Sequence, residues 1–105
     1  MRAALCPELG PPSVVSVVEQ PSPALGAGQV RVAVAAASVN FPDVLLVAGE
    51  YQIKVPPPFV PGSEFAGTVV EVGDEAGGHG VALGDRVFGT GLVGAFAEEM
   101  VVAPS

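Results

Sequence analysis

Valine-rich segments in which apolar and polar positions alternate recur along the chain, and this period of two predicts a domain built mainly from β-strands. The 14 glycines and 11 prolines are spread between these segments and predict the turns that separate the strands. The first two predicted strands are expected to form a hairpin. The predicted strands cover residues 1–6, 13–19, 29–36, 66–73, 85–89 and 95–102.

One stretch departs from this alternation and predicts a single short helix over residues 42–48. Asn40 or Phe41 is expected to cap its beginning, and Asp43 suits the positive end of the helix dipole. Gly49 lies where a residue in the left-handed conformation commonly ends a helix. The proline-rich segment that follows is expected to be an extended loop, because consecutive prolines favour the polyproline II conformation.

A tight turn at Pro61 and Gly62 is expected to lead into the central strand of the domain. Gly62 can take the positive φ that a type II turn requires. Gly67 lies inside the apolar run and marks either a bulge or the close approach of another backbone. Glu64 precedes this strand, and Arg86 is the expected partner of its carboxylate.

The composition narrows the classes of function. At 105 residues the chain predicts one domain. The formal net charge of −7 argues against a nucleic-acid partner, because no basic surface would neutralise phosphates. No apolar run approaches the roughly 20 residues of a membrane-spanning helix, and the apolar N-terminus is too short for a signal peptide. A cytoplasmic location without membrane association is therefore expected.

Neither the single cysteine nor the single histidine of this sequence predicts a catalytic or metal site. Cys6 is the single cysteine, which excludes a disulfide within these residues and a zinc site built from several cysteines. Its place on an apolar strand predicts a thiol in the core. His79 lies among glycines in a predicted flexible hairpin over residues 74–84 and is expected to be solvated. That hairpin lacks the lysine and the following helix of a phosphate-binding loop.

Five blocks of residues carry a resemblance to a known family, in the order Val39-Asn40-x-x-Asp43 with Gly49-x-Tyr51, Pro58-Phe59-Val60-Pro61-Gly62-x-Glu64-x-Ala66-Gly67-x-Val69, Val72-Gly73, Gly84-Asp85-Arg86-Val87 and Ala95-x-Ala97-Glu98. This series resembles the medium-chain dehydrogenase/reductase superfamily. Within the superfamily the chain is most similar to the zinc-independent quinone oxidoreductases, the ζ-crystallin-like branch.

The resemblance implies a GroES-like, partly open β-barrel with one short helix, spanning residues 1–105. It implies NADPH as the hydride donor and a quinone or enone as the small-molecule acceptor. In that family the cofactor binds mainly to a following Rossmann domain, whose opening strand, glycine-rich turn and helix are missing from this sequence. We therefore expect an N-terminal catalytic lobe, truncated or excised from a longer enzyme and inactive alone.

The zinc-dependent members of the superfamily place a cysteine at the position of Asn40 and a histidine at the position of Ser63. Catalytic zinc needs three protein ligands drawn from thiolate, imidazole or carboxylate groups, and neither an amide nor a hydroxyl suits it. We therefore expect no zinc, and a carbonyl that is polarised by hydrogen-bond donors instead. That chemistry suits reduction of a quinone or an activated enone better than oxidation of a plain alcohol.

Three residues are candidates for the site. The Tyr51 hydroxyl, protonated at neutral pH, is the candidate catalytic donor to a developing oxyanion, and the resemblance places it in the quinone pocket. Anchoring the proline-rich loop is the alternative role of Tyr51. Asn40 is the candidate catalytic and cofactor-binding residue, which the resemblance places near the nicotinamide. Asp43 is a candidate for substrate binding, although helix capping is the favoured explanation for it.

A second interpretation stays open: a non-catalytic GroES-like module used for binding or assembly. The missing cofactor domain favours this interpretation, whereas the retained set of Asn40, Asp43 and Tyr51 favours the enzyme lobe. In either case, strand edges and apolar surface left without partners are expected to promote self-pairing, so a homo-oligomer is predicted.

Overall fold

The computed structural model describes residues 1–74 and 80–104. His79 and residues 75–79 of the predicted flexible hairpin therefore lie outside the described residues. The prediction of a mainly β domain with one short helix is confirmed. A 3-10 turn at Pro12–Val14 precedes the second strand. The elements are β1 (Arg2–Leu5), β2 (Ser16–Glu19), β3 (Val30–Ser38), α1 (Phe41–Ala48), β4 (Glu64–Val72), β5 (Arg86–Thr90) and β6 (Glu99–Val102).

The strands form two antiparallel sheets that stay open. β1 pairs with β2, as the predicted hairpin requires, and β5, β4, β3 and β6 follow one another in a four-stranded sheet. Isolated bridges from Ala3 to Ala97 and from Cys6 to Phe59 join the first ribbon to the rest of the chain. Because neither sheet closes on itself among the described residues, β5 and β6 are edge strands. The expected partly open barrel is confirmed.

The core consists of two apolar clusters. The larger one joins the four-stranded sheet to the segment before β6 and contains Val30, Val32, Phe65, Val69, Ala95 and Met100. The smaller one receives Leu46 and Val47 of α1 and packs them against Cys6 and Phe59. Cys6 is fully buried, so the predicted core thiol is confirmed, and burial raises the pKa of this thiol.

At Gly67 the backbone of β3 leaves no room for a side chain on β4. A Cβ at this position would come within 2.1 Å of the Ala33 carbonyl oxygen. The register of the two strands also shifts between Val34 and Ala36, opposite Gly67. Both features expected of Gly67, the bulge and the close approach, are therefore present. Gly62 has φ 110°, which confirms the positive φ expected at the turn before β4.

The second strand is shorter than predicted. Residues 13–15 belong to or follow a 3-10 turn, in which the Val14 and Val15 amides donate to the Pro11 and Pro12 carbonyl oxygens at 3.0 and 3.1 Å. A proline at the first position of such a turn leaves no amide hydrogen unpaired and presets φ for the turn. β2 therefore begins only at Ser16.

The last strand is also shorter than predicted, because residues 95–98 do not share one ladder. The Phe96 amide donates to the Pro61 carbonyl oxygen at 3.0 Å, while the Phe96 carbonyl accepts from the Ala4 amide at 2.8 Å. The segment thus bridges the turn before β4 and the first ribbon, and the regular strand starts at Glu99. Helix α1 has eight residues, and no helix within the described ranges is long and apolar enough to cross a membrane.

Candidate functional site

A cleft of about 990 Å³ is lined by the four-stranded sheet and by the segment after β6. Its walls include Ser38 at the end of β3, Glu64 at the start of β4 and Phe88 of the edge strand β5. Glu64 is the single charged side chain among the described residues that line it, and most of the others are apolar. The cleft therefore suits a neutral, ring-shaped molecule and offers no lysine or arginine to a phosphate.

Asn40 connects to two residues of the cleft wall. Its Nδ2 atom donates to Ser38 Oγ at 3.1 Å and to Glu64 Oε1 at 3.0 Å. Ser38 and Glu64 lie opposite each other in the β3–β4 ladder, so the last residue of one strand meets the first of the next just before α1. An amide nitrogen carries two hydrogens, and both are used here. Asn40 does not itself line the cleft, and its side chain is held in one orientation against two residues that do.

Helix α1 is capped as predicted. Asn40 is the N-cap residue in an extended conformation, and its backbone amide donates to Asp43 Oδ2 at 2.8 Å in a capping box. Gly49 ends the helix with φ 73°. The capping role of Asp43 is thus confirmed. Its side chain is only 3% exposed, and Oδ1 has no hydrogen-bond partner among the described residues.

Tyr51 lies apart from this group. It is half-buried in the loop after α1, where it packs against the smaller core cluster. Tyr51 does not line the cleft, and the side-chain amide of Asn40 bonds elsewhere. The structure therefore brings Asn40 and Asp43 together and leaves Tyr51 outside their network, in a place that agrees with the loop-anchor alternative.

The two positions that the resemblance assigns to metal ligands are both connected to Glu64, one by a hydrogen bond and one along the chain. Asn40 bonds to Glu64, and Ser63 is the residue before it, with its carbonyl accepting from the Gly91 amide at 2.7 Å. Within residues 1–74 and 80–104, no group of three or more His, Cys, Asp or Glu side chains could hold a metal ion. The donor set at Asn40 and Ser63 consists of one amide and one hydroxyl, which are poor ligands for zinc.

The expected pairing of Glu64 with Arg86 is wrong. In the β4–β5 ladder Arg86 lies opposite Thr68, whereas Glu64 lies opposite Thr90. Four residues of strand separate the two positions, roughly 13 Å at about 3.3 Å per residue. Glu64 is also exposed instead of partly buried, and its carboxylate accepts from Asn40.

Ser38 is the site residue that the sequence analysis did not identify. It lines the cleft, and its Oγ already accepts a hydrogen bond from Asn40, which leaves the hydroxyl hydrogen free to donate. Its only sequence signal is its place two residues before Asn40 at the end of an apolar strand. Only the β3–β4 register shows that this position lies opposite Glu64.

Comparison with known proteins places the domain in a family. The sequence profile described as the alcohol dehydrogenase GroES-like domain matches residues 26–105. The quinone oxidoreductase-like protein 2 homolog of Nematostella vectensis is 47% identical over 102 residues, which cover 96% of this chain and 27% of that protein. Quinone oxidoreductase-like protein 2 of Mus musculus is 45% identical over 100 residues, covering 95% and 27%. The chain thus spans about a quarter of the length of these relatives.

Solved structures share the fold over nearly the whole chain. A probable oxidoreductase from Mycobacterium abscessus is 42% identical with a TM-score of 0.84, over 99% of this chain and 32% of that one. A mycobacterial protein complexed with NADPH is 39% identical with a TM-score of 0.86, over 99% and 31%. The quinone oxidoreductase of Thermus thermophilus, also solved with NADPH, is 31% identical with a TM-score of 0.78, over 98% and 29%. The chain therefore belongs to the alcohol dehydrogenase GroES-like domain family.

Proposed function

We propose that this lobe forms the acceptor-binding part of a zinc-free, NADPH-dependent reductase of quinones or enones. The observation that carries the proposal is the Asn40–Ser38–Glu64 network beside a cleft whose walls are mostly apolar. Relatives named as quinone oxidoreductase-like proteins and structural relatives solved with NADPH support the same chemistry.

The lining of the cleft suits the nicotinamide end of NADPH better than its phosphates. Its apolar walls suit the nicotinamide ring and a flat acceptor, whereas the Glu64 carboxylate on its wall would repel the phosphates. We therefore propose that this lobe contacts the nicotinamide end and that the phosphates bind outside these residues. When bound, NADPH supplies the hydride that reduces the acceptor.

The residues of this chain then have separate tasks. We assign Asn40 the task of positioning the nicotinamide end. Because both of its amide hydrogens are engaged, they hold the Ser38 hydroxyl and Glu64, and only the side-chain oxygen of Asn40 is left to accept from the cofactor. Ser38, within the cleft, donates to the acceptor oxygen as it gains negative charge. Tyr51 is the second proposed donor, and it can act only if its loop moves towards the cleft. Asp43 acts indirectly, because its carboxylate fixes the Asn40 backbone.

The absence of zinc is part of the proposal. An amide and a hydroxyl at Asn40 and Ser63 would bind zinc weakly, and the Asn40 amide already bonds to Ser38 and Glu64. Carbonyl polarisation is then left to neutral hydrogen-bond donors. Such donors suffice for quinones and activated enones, whose reduction places the new negative charge on an oxygen within reach of the cleft wall.

The experiment joins this lobe to the remaining part of the mycobacterial relative that was solved with NADPH and follows NADPH oxidation with a naphthoquinone. Activity supports the proposal. In that fusion Ser38→Ala is expected to slow turnover by about 100-fold, the effect of removing one oxyanion donor, with little change in NADPH affinity. Ser13→Ala, which removes an exposed hydroxyl from the 3-10 turn, is the matched control.

Tyr51→Phe separates the two roles of that residue. Slower turnover at unchanged NADPH affinity would support Tyr51 as a donor, while an unchanged rate would assign it to loop anchoring. A fusion that folds and binds NADPH but reduces no quinone would contradict the proposal and favour the non-catalytic binding or assembly module.

A further inference from the structure

Glu64 carries the one charge on the described wall of the large cleft, and this charge has no counter-ion there. The side chain is exposed, and its Oε1 atom accepts from the Asn40 amide at 3.0 Å. An amide is neutral, so this hydrogen bond leaves the negative charge uncompensated. Within residues 1–74 and 80–104, no lysine or arginine forms an ion pair with Glu64.

The arginines of the same sheet are placed elsewhere. Arg31 pairs with Glu71 at 2.8 Å and with Glu99 at 3.9 Å. Arg86 lies four residues further along the β4–β5 ladder than Glu64. Since the rest of the described lining is uncharged, the field of the Glu64 carboxylate acts directly on a molecule that occupies the cleft.

The polar groups of the cleft are gathered at the Glu64 end. Ser38 lies opposite Glu64 in the β3–β4 ladder and Thr90 lies opposite it in the β4–β5 ladder, and both line the cleft. Val30 and Val102, which also line it, pair with each other eight residues of β3 away from Ser38, roughly 26 Å at about 3.3 Å per residue. An acceptor bonded to Ser38 therefore lies at the charged end of an otherwise apolar cleft.

We propose that Glu64 selects acceptors by their charge, so that a cationic acceptor is preferred to a neutral one and an anionic acceptor is disfavoured. This inference rests on the proposed function, because the acceptor is the quinone or enone of that reaction. Two unit charges about 6 Å apart in water change an affinity about threefold, which is the effect expected at an exposed carboxylate. A cationic substituent gains this factor, and an anionic substituent loses it.

The test uses the fusion protein with three 2-alkyl-1,4-naphthoquinones whose side chains end in a methyl, a sulfonate or a trimethylammonium group. The alkyl spacer keeps the charge away from the quinone ring, so the three rings have similar reactivity. Glu64→Gln removes the charge and keeps an oxygen that can accept from the Asn40 amide. Relative to the neutral quinone, kcat/KM is expected to fall about threefold for the cationic quinone and to rise about threefold for the anionic one.

Glu50→Gln is the matched control, because it removes the same charge at an exposed position outside the cleft. Both ratios should stay unchanged in this variant. Unchanged ratios in Glu64→Gln, or equal shifts in the two variants, would overturn the proposal. A fall in kcat/KM by the same factor for all three quinones would also overturn it, since Glu64 would then only position Asn40.

Ionic strength supplies a second measurement on the unaltered fusion. Because Glu64 is exposed, raising the salt from about 0.02 M to about 0.3 M should reduce the preference for the cationic over the anionic quinone. The change with salt should be smaller in Glu64→Gln, and an equal change would overturn the proposal. A fusion that binds NADPH but reduces none of the three quinones would contradict the proposed function itself, whereas reduction of all three without dependence on Glu64 would overturn only this inference.

Discussion

Replacing Gly67 by alanine tests whether the close approach of β3 and β4 holds the candidate site together. The new Cβ would lie 2.1 Å from the Ala33 carbonyl oxygen and 2.8 Å from a methyl carbon of Val32. The first of these atoms belongs to the backbone, so the strands must separate by roughly 1 Å to restore an ordinary contact of about 3.2 Å. The same ladder pairs Ser38 with Glu64 and so supports the bonds to Asn40.

The expected loss of stability follows from two opposing effects. Overpacking a filled core destabilises by about 1–3 kcal/mol, and a backbone obstacle favours the upper end of this range. Alanine in place of glycine recovers about 0.5–1 kcal/mol of backbone entropy in the unfolded chain. The net loss is about 2 kcal/mol, which is a large share of a typical domain stability of about 5–15 kcal/mol.

Urea unfolding followed by circular dichroism measures this loss. With a slope of about 1–1.5 kcal/mol per molar, the midpoint of Gly67→Ala is expected to fall by about 1–2 M. Gly28→Ala is the matched control, because a Cβ there meets no atom within 4 Å and the glycine has no positive φ. Its midpoint should stay within about 0.4 M of the unaltered chain. A similarly small change in Gly67→Ala would refute the packing described for β3 and β4.

Three further predictions concern the whole chain. Titration of the 105-residue chain with NADPH, followed by nicotinamide fluorescence, should detect no binding below millimolar concentrations; micromolar affinity would mean that a cofactor site lies within this lobe. Burial raises the pKa of Cys6, so at any pH below that pKa a smaller fraction of its thiol is ionised than in a free cysteine. Alkylation of Cys6 at pH 8 should therefore be much slower than alkylation of glutathione and should become faster as the pH rises. Equal alkylation rates would contradict the burial of Cys6. Light scattering should show an average mass that rises with protein concentration. In Phe88→Lys this mass should be lower, because the substitution places a charge at an 89% exposed position on the edge strand β5. A monomer at every concentration would count against self-pairing.

The elements that the sequence predicted well depend on local signals. The alternating valines of β3 indicate which of its faces is buried. Asn40, Asp43 and Gly49 indicate the two ends of α1, because their residue types suit those positions. These signals act over a few residues and need no knowledge of the tertiary fold.

The features that could not be predicted from the sequence depend on contacts between segments that are distant along the chain. The partner of Glu64 could not be read from the chain, because two register shifts in the β3–β4 ladder decide that Ser38 lies opposite it. Residues 95–98 look like a strand, but their hydrogen bonds go to the turn before β4 and to β1. A small apolar pocket lined by Pro12, Val44 and Phe96 is formed by segments that approach one another only in the folded chain.

The central claim is that neutral hydrogen-bond donors, and not a metal, polarise the acceptor beside Asn40 and Ser63. The most direct measurement is the rate of naphthoquinone reduction by NADPH in the fusion protein before and after exhaustive removal of metals by a chelator. The rate is predicted to stay the same. A rate that falls on chelation and returns when stoichiometric zinc is added would contradict the claim.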